Sequence, residues 1–164
     1  MDLIIRNLDV GDWKPVSEIY KQGIETKNAT FEKTVPSWVE WNKKYLRSCS
    51  IVGELNKEIV GWAAISPVSA RGVYKGVAEV SVYVSGPHQH RGIGKQLLFA
   101  LVDESERVGI WTLQASIFPE NTASIMLHKS CGFKKVGTRK KIGFMDGRWR
   151  DTILFERRSK IIGI

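Results

Sequence analysis

The segment at residues 89–94 has the pattern Gln-x-x-Gly-x-Gly and lies between a predicted strand and a predicted helix. Glycines at such a junction let backbone N–H groups approach an anion, and the helix dipole adds positive potential there. Arg91 and Lys95 add formal charge at the same place. The pattern therefore predicts a cradle for a phosphate or pyrophosphate. The alternative is a tight strand-to-helix turn that binds nothing.

The spacing of the glycines excludes two other nucleotide sites. It is not the G-x-G-x-x-G of a dinucleotide-binding turn, and the chain has no G-x-x-x-x-G-K-[ST] phosphate loop. Cys49 and Cys131 are the two cysteines, and neither lies in a metal-type spacing or a disulfide framework. The sequence therefore predicts no metal site, and a buried structural role is expected for Cys131.

The strand before the glycine segment is predicted over residues 78–84 because its side chains alternate between apolar and polar. Glu79 lies on the polar face, together with Ser81 and Tyr83. A helix opened by Asn121 and stopped at Gly132 carries His128. From the residues alone, His128 is a polar helix residue, and Glu79 is either a strand glutamate that faces solvent or a carboxylate available for proton transfer.

Periodicity and turn signals predict the remaining elements. Strands are expected at residues 3–6, 50–55, 58–65, 111–118, 134–144 and 149–156. Asp9 is predicted to cap a first helix, and Ser37 with Glu40 forms a capping box before a second. The pairs Asn56-Lys57 and Asp146-Gly147 are predicted hairpin turns. The resulting order is β-α-α-β-β-β-α-β-α-β-β, an α/β class with helices flanking a central sheet.

Length and charge set outer limits on the function. The 164 residues, 43% of them hydrophobic, predict a single domain over residues 1–164. There is no membrane-length apolar run and no signal-peptide pattern, so a cytoplasmic location is expected. The net charge is +8, and residues 134–160 hold ten Lys or Arg against three Asp or Glu. Such a surface attracts phosphates or simply aids solubility.

Several ordered motifs resemble the GCN5-related N-acetyltransferase (GNAT) family. The Gln-x-x-Gly-x-Gly segment, between a Tyr-Val strand and a Leu-Leu helix, resembles the acetyl-CoA signature of that family. Residues 119–124 and 127–133 are similar to its second cofactor segment. Residues 78–84, His128 and the Gly-Arg-Trp-Arg-Asp of residues 147–151 resemble its phosphinothricin acetyltransferase branch. The similarity extends from the first strand to about residue 156, and it implies a mixed, mostly antiparallel sheet.

The resemblance implies a reaction and two catalytic residues. Members of the family carry acetyl from the CoA thioester to an amine by direct attack, which needs a deprotonated amine and donors for the oxyanion. Glu79 matches the glutamate proposed as general base in the branch. His128 stands where many members have a tyrosine near the CoA sulfur. Its role is left open between donating to the thiolate and helping deprotonation.

The resemblance also implies contacts to acetyl-CoA as the co-substrate. The backbone of Val82 and Val84 is expected to pair with the pantetheine arm like an added strand, and the Val82 region to polarise the thioester carbonyl. Asn121 and Ser124 are expected to reach the same arm. The full set of expected cofactor contacts is Val82, Tyr83, Val84, Gln89, His90, Arg91, Gly92, Ile93, Gly94, Lys95, Asn121 and Ser124.

The acceptor is predicted to be a small amino-acid-like amine such as phosphinothricin or methionine sulfoximine. Arg71 and Tyr74 match substrate-contacting positions of the branch, Phe31 matches the aromatic wall of the acceptor pocket, and Glu79 faces the amine. An arginine fork suits a carboxylate or phosphinate. Ser69 departs from the third contacting position of the branch, which leaves the exact acceptor open.

Three further expectations concern partners. Loops such as the one at Trp149 and Asp151 close the neighbouring subunit's site in homodimers of the branch, so a homodimer is expected. A peptide N-terminus or a polyamine is the alternative acceptor. The basic C-terminal third also fits a nucleic-acid-associated module. That module is disfavoured because only Phe144 and Trp149 interleave the basic run as stacking platforms.

Overall fold

The computed structural model describes residues 2–164 as one seven-stranded sheet with helices on both faces. The predicted element order is confirmed, and most strand ends differ from prediction by one or two residues. The strands are β1 Ile4–Asn7, β2 Ser50–Leu55, β3 Glu58–Pro67, β4 Val77–Val84, β5 Thr112–Ile117, β6 Lys134–Met145 and β7 Arg148–Arg158. The helices are α1 Trp13–Glu25, α2 Trp38–Lys44, α3 Ile93–Arg107 and α4 Thr122–Ser130.

The sheet has the strand order β1-β2-β3-β4-β5-β7-β6. Among residues 2–164 only β4 and β5 pair in parallel, and the other neighbours are antiparallel. Both predicted hairpin turns form with positive φ, at Asn56 and Lys57 and at Asp146 and Gly147. Positive φ at both central positions gives the twist that two-residue hairpins need. The sheet is therefore mixed and mostly antiparallel, as predicted.

Side-chain caps fix the helix starts that matter for the site. The Ser37 and Glu40 capping box forms as predicted at α2, and Asn121 caps α4 by accepting from the Ser124 N–H. The prediction for Asp9 needs a small correction. Its carboxylate caps a 3₁₀ turn at Val10–Asp12, and α1 begins only after that turn.

Two hydrophobic clusters hold the helices on the sheet. On one face, α3 buries Leu97, Leu98 and Leu101 completely against the middle strands. On the other face, α1 and α2 pack an aromatic cluster around the fully buried Trp41 and Trp62. Each buried aliphatic or aromatic side chain contributes roughly 1.5–3 kcal/mol. The cluster under α3 extends to β5 and β7, whereas the aromatic cluster is confined to β2 to β4, so the other half of the sheet is less covered on the α1 face.

No helix within residues 2–164 is long and apolar enough to cross a membrane.

Candidate active site

A cleft of about 1180 Å³ opens where β4 and β5 separate. The two strands pair only from Val77 to Glu79 with Thr112 to Gln114. Beyond this point β4 continues beside β3, and β5 continues beside β7. The walls of the cleft also include α4, the glycine segment before α3 and the loop between α1 and α2.

The backbone of Val82 and Val84 faces this gap. The Ser85 N–H donates to the Val60 carbonyl at 2.8 Å, so Ser85 points toward β3. Successive residues of a strand direct their backbone N–H and C=O groups to opposite sides. The N–H and C=O groups of Val82 and Val84 therefore point away from β3. The Val84 carbonyl accepts from the Gln89 side-chain amide at 3.2 Å. The remaining groups can pair with an extended ligand as a strand would.

The glycine segment forms the start of α3 at one end of the cleft. Gly92 is its N-cap with φ +79°, a conformation that glycine adopts without steric cost. Backbone amides at the start of this 15-residue helix provide an anion site, and Lys95 adds a cation to the cleft wall. The gap between β4 and β5 leads to the N-terminus of α3. This arrangement fits a long ligand that pairs with the backbone of β4 and ends in phosphates.

Most of the predicted cofactor contacts lie together in this cleft. The exception within residues 2–164 is Arg91, whose exposed side chain does not line it. The residues that do line it are Val82, Tyr83, Val84, Gln89, His90, Gly92, Ile93, Gly94, Lys95, Asn121 and Ser124.

Glu79 lies at the point where the two strands part. Its Oε1 accepts from the Ser116 hydroxyl at 3.2 Å and from the Gln114 amide at 3.4 Å. Its Oε2 has no protein hydrogen bond within residues 2–164. The carboxylate is therefore held from β5 by one oxygen, while the other is free to accept a proton from a molecule in the cleft.

His128 is buried in α4, with an exposed fraction of 5%, and its ring lines the cleft. Its Nδ1 lies 2.7 Å from the Ser124 carbonyl oxygen, and because that oxygen can only accept, Nδ1 carries a hydrogen. Burial lowers the pKa of His128 below its ordinary value of 6.5, and the bond to Ser124 opposes this only in part. At neutral pH the ring is thus uncharged, with a lone pair on Nε2.

The predicted acceptor contacts are not all brought together. Phe31 lines the cleft and meets Phe118 edge-on, with ring centroids 4.8 Å apart. Arg71 and Tyr74 lie outside the cleft on the loop between β3 and β4, with the guanidinium 5.7 Å from the tyrosine ring. That loop starts at the cleft rim, where Val68 is part of the wall.

Several cleft residues were not predicted from the sequence. Gln114 and Ser116 contact Glu79, and the Tyr45 hydroxyl lies 3.1 Å from that of Ser81. The alternation in β5 marks Gln114 and Ser116 as polar positions, but it does not show that they face Glu79. Two cations, Lys44 and Arg139, also line the cleft.

Both cysteines are buried thiols. Burial raises the pKa of Cys49 to about 11 and also raises that of Cys131. A thiol that stays protonated is a poor nucleophile. Neither cysteine lines the cleft, so the site offers no cysteine for a covalent acyl intermediate.

Comparison with known proteins agrees with the geometry of the cleft. Residues 13–133 match the model of the acetyltransferase (GNAT) family. The chain is 32% identical to a phosphinothricin N-acetyltransferase of Alcaligenes faecalis, over 89% of this chain and 77% of the relative. It is also 32% identical to an L-methionine sulfoximine/L-methionine sulfone acetyltransferase of Salmonella typhimurium, over 91% and 90%.

A solved structure shows the same fold with a ligand. It is a phosphinothricin acetyltransferase from Sinorhizobium meliloti in complex with acetyl-CoA, 28% identical to this chain. Its TM-score is 0.86, and the match covers 99% of this chain and 96% of that one. The chain belongs to the acetyltransferase (GNAT) family, and acetyl-CoA is its co-substrate.

Proposed function

We propose that this acetyl-CoA-dependent N-acetyltransferase acts on the α-amine of a small amino-acid-like acceptor. Phosphinothricin, methionine sulfoximine and similar glutamate or methionine analogues are the favoured substrates, and acetylating such a toxic analogue would detoxify it. The observation that carries the proposal is the carboxylate of Glu79, held by Ser116 and Gln114 beside the gap that exposes the Val82 backbone. The names of the two relatives support this class of acceptor.

In this proposal Glu79 is the general base. An ammonium has no lone pair, so the acceptor must lose a proton before it attacks. The unbonded Oε2 takes that proton, directly or through a water molecule. Acetyl-CoA supplies the activated acetyl group, and backbone groups near Val82 stabilise the charge that develops on the carbonyl oxygen. Attack is direct, which agrees with the two cysteines being buried away from the cleft.

His128 is proposed to assist deprotonation. The notion that it donates a proton to the departing thiolate requires a hydrogen on Nε2. The hydrogen bond from Nδ1 to the Ser124 carbonyl favours the other tautomer, and burial disfavours the doubly protonated ring. A neutral ring with a free Nε2 can accept a proton, so His128 fits a role beside Glu79 better than one as an acid.

Arg71 and Tyr74 remain proposed contacts for the acidic end of the acceptor, with Phe31 as an aromatic wall. Their loop is exposed and begins at the cleft rim, so reaching a bound acceptor requires it to fold inward. We also propose one catalytic domain over residues 1–164. A cytoplasmic setting is proposed because free, buried cysteines suit a reducing compartment.

A homodimer completes the proposal. The β6–β7 hairpin presents an apolar patch of half-exposed or more exposed side chains, in which Phe144 and Trp149 meet edge-on at 5.1 Å. Contiguous exposed apolar side chains mark interaction sites. The patch consists of Phe144 and Trp149.

The function is tested by thiol release from acetyl-CoA with phosphinothricin, methionine sulfoximine and methionine compared side by side. We expect rapid release with the first two and slower release with methionine, which lacks their tetrahedral polar group. If none of the three compounds causes thiol release while acetyl-CoA still binds, the proposed class of acceptor is wrong. Peptide N-termini and polyamines would then be tested in the same assay.

Replacement of Glu79 tests the general base. Glu79→Gln should lower kcat by about 10²- to 10⁴-fold, the usual contribution of a positioned base, with acetyl-CoA affinity nearly unchanged. The residual rate should rise with pH as the free acceptor amine loses its own proton. Glu58→Gln removes the same charge from an exposed hairpin position and serves as the control. Full activity of Glu79→Gln would eliminate Glu79 as the base.

The neutral state of His128 predicts how stability depends on pH. In the unfolded chain histidine gains a proton below pH 6.5, whereas the native ring does not until its lower pKa is reached. Its contribution to stability is therefore complete above pH 6.5 and decreases as the pH falls. Urea unfolding should show wild type losing stability relative to His128→Gln on acidification, by at most about 1.4 kcal/mol per pH unit. A pH-independent difference would show that the native ring titrates normally.

Sedimentation tests the dimer. Wild type should sediment with twice the mass of the chain, and Trp149→Asp should shift it toward the monomer, because a charge replaces a large apolar contact. Ile161→Asp alters an equally exposed apolar residue outside the patch and should leave the mass unchanged. A wild-type monomer at all concentrations would contradict the proposal.

A further inference from the structure

The loop between α1 and α2, residues 26–37, carries Phe31 along the cleft with no helix or strand of its own. Such a loop places a side chain accurately only if other elements hold it. The contacts that hold it come from β6, from β7 and from the start of α4.

Phe31 rests directly on the backbone of Gly143 in β6. A Cβ atom at Gly143 would stand 2.6 Å from Cε1 and 3.0 Å from Cε2 of the Phe31 ring, and closer still to Cζ. Cβ contacts under 3.0 Å are essentially never seen, so a side chain at Gly143 would require the Phe31 ring to move. Phe118 closes the other side edge-on, which wedges the Phe31 ring between a glycine and an aromatic ring.

Arg150 in β7 fixes the base of the same loop. Its guanidinium is buried and donates to the Lys27 carbonyl, to Asn28 Oδ1 at 3.4 Å and to the Glu120 carboxylate at 3.4 Å. The group also stacks on Phe118, 3.7 Å from the ring centroid. One planar group with several donors thus contacts the loop, the start of α4 and the Phe118 ring that packs against Phe31.

The start of α4 holds the loop a second time. Asn121 donates from Nδ2 to the Asn28 carbonyl at 3.0 Å, while its Oδ1 caps α4 through the Ser124 N–H. The loop that carries Phe31 is therefore bonded to the helix that carries His128. The contacts of Gly143 and Arg150 therefore lead to the loop that carries Phe31 and to the start of α4.

We propose that Gly143 and Arg150 are positioning residues that seat Phe31 against the acceptor. This rests on the proposed function, in which Phe31 is a wall for the acceptor. Gly143 separates the acceptor from acetyl-CoA better than Arg150 does. The three atoms nearest to a Cβ at Gly143 all belong to the Phe31 ring, whereas Arg150 contacts Asn28, which is bonded to the expected acetyl-CoA contact Asn121.

Two glycines of β6 provide a matched test. Gly143→Ala forces the Phe31 ring aside, whereas a Cβ at Gly137 meets no atom within 4 Å. Gly143→Ala should raise the acceptor KM by about tenfold or more, since small misplacements at a site are costly, with the acetyl-CoA KM unchanged. Gly137→Ala should change neither. Arg150→Lys keeps the charge but loses the planar fork, and should also raise the acceptor KM.

A double variant separates the wedge from loss of stability. If Gly143→Ala acts through the Phe31 ring, it should raise the acceptor KM much less in a Phe31→Leu background. The effects of the two substitutions on the acceptor KM should then not be additive. Additive effects on the acceptor KM would overturn the proposal. Equal increases in both KM values in Gly143→Ala would overturn it as well.

Hydrogen exchange of residues 26–35 gives a readout that needs no acceptor. Exchange there should be faster in Gly143→Ala than in wild type or Gly137→Ala, and unchanged exchange would overturn the proposal whatever the activity. Faster exchange with an unchanged acceptor KM would overturn it too. If wild type transfers no acetyl group to these acceptors, the proposed function fails. The exchange comparison still decides whether the hairpin holds the loop.

Discussion

The separation of β4 from β5 is the constraint on which the site depends. The two strands share only three pairs, and beyond Glu79 the backbone of β4 has a partner on one side only. Backbone N–H and C=O groups that point into a cleft need a partner, which in the free chain is water. A ligand that presents amides along its length can replace that water. The same separation leaves room beside Glu79 for a second molecule.

The rest of the fold keeps this separation open. β5 is bound to β7 over six pairs, which leads it away from β4, while the helix α3 packs on the middle strands from behind. On the opposite face, the aromatic cluster brings Tyr45 to Ser81 and covers β4 up to the cleft. The site therefore lies between two halves of the sheet, each held by strand pairing and packing, and the loop carrying Phe31 forms part of its wall.

The sequence predicted what depends on local patterns. The strong alternation at residues 78–84 placed Glu79 on a polar face, and Asn56-Lys57 and Asp146-Gly147 formed the predicted turns. The glycines at the start of α3 and the Asn121 cap could also be predicted from the sequence, since each depends on a few neighbouring residues. These features bring most of the predicted cofactor contacts into the cleft.

Contacts that depend on distant pairing could not be predicted. The bonds from Gln114 and Ser116 to Glu79 require the register of two strands about 35 residues apart. Arg150 reaches Lys27 across 123 residues, and its burial contradicts the usual exposure of arginine. The position of Arg71 outside the cleft likewise depends on how an irregular loop folds, which no periodicity specifies.

Amide-resolved hydrogen exchange by NMR, with and without acetyl-CoA, would show whether the exposed backbone of β4 binds the co-substrate. We expect the amides of Ser81, Tyr83 and Ser85, which face β3, to be protected in both states. Those of Val82 and Val84 should exchange faster in the free chain and slow by about tenfold when acetyl-CoA binds, as a new hydrogen bond of about 1 kcal/mol requires. Acetyl-CoA binding without added protection at Val82 and Val84 would show that the co-substrate does not pair with β4 in the gap.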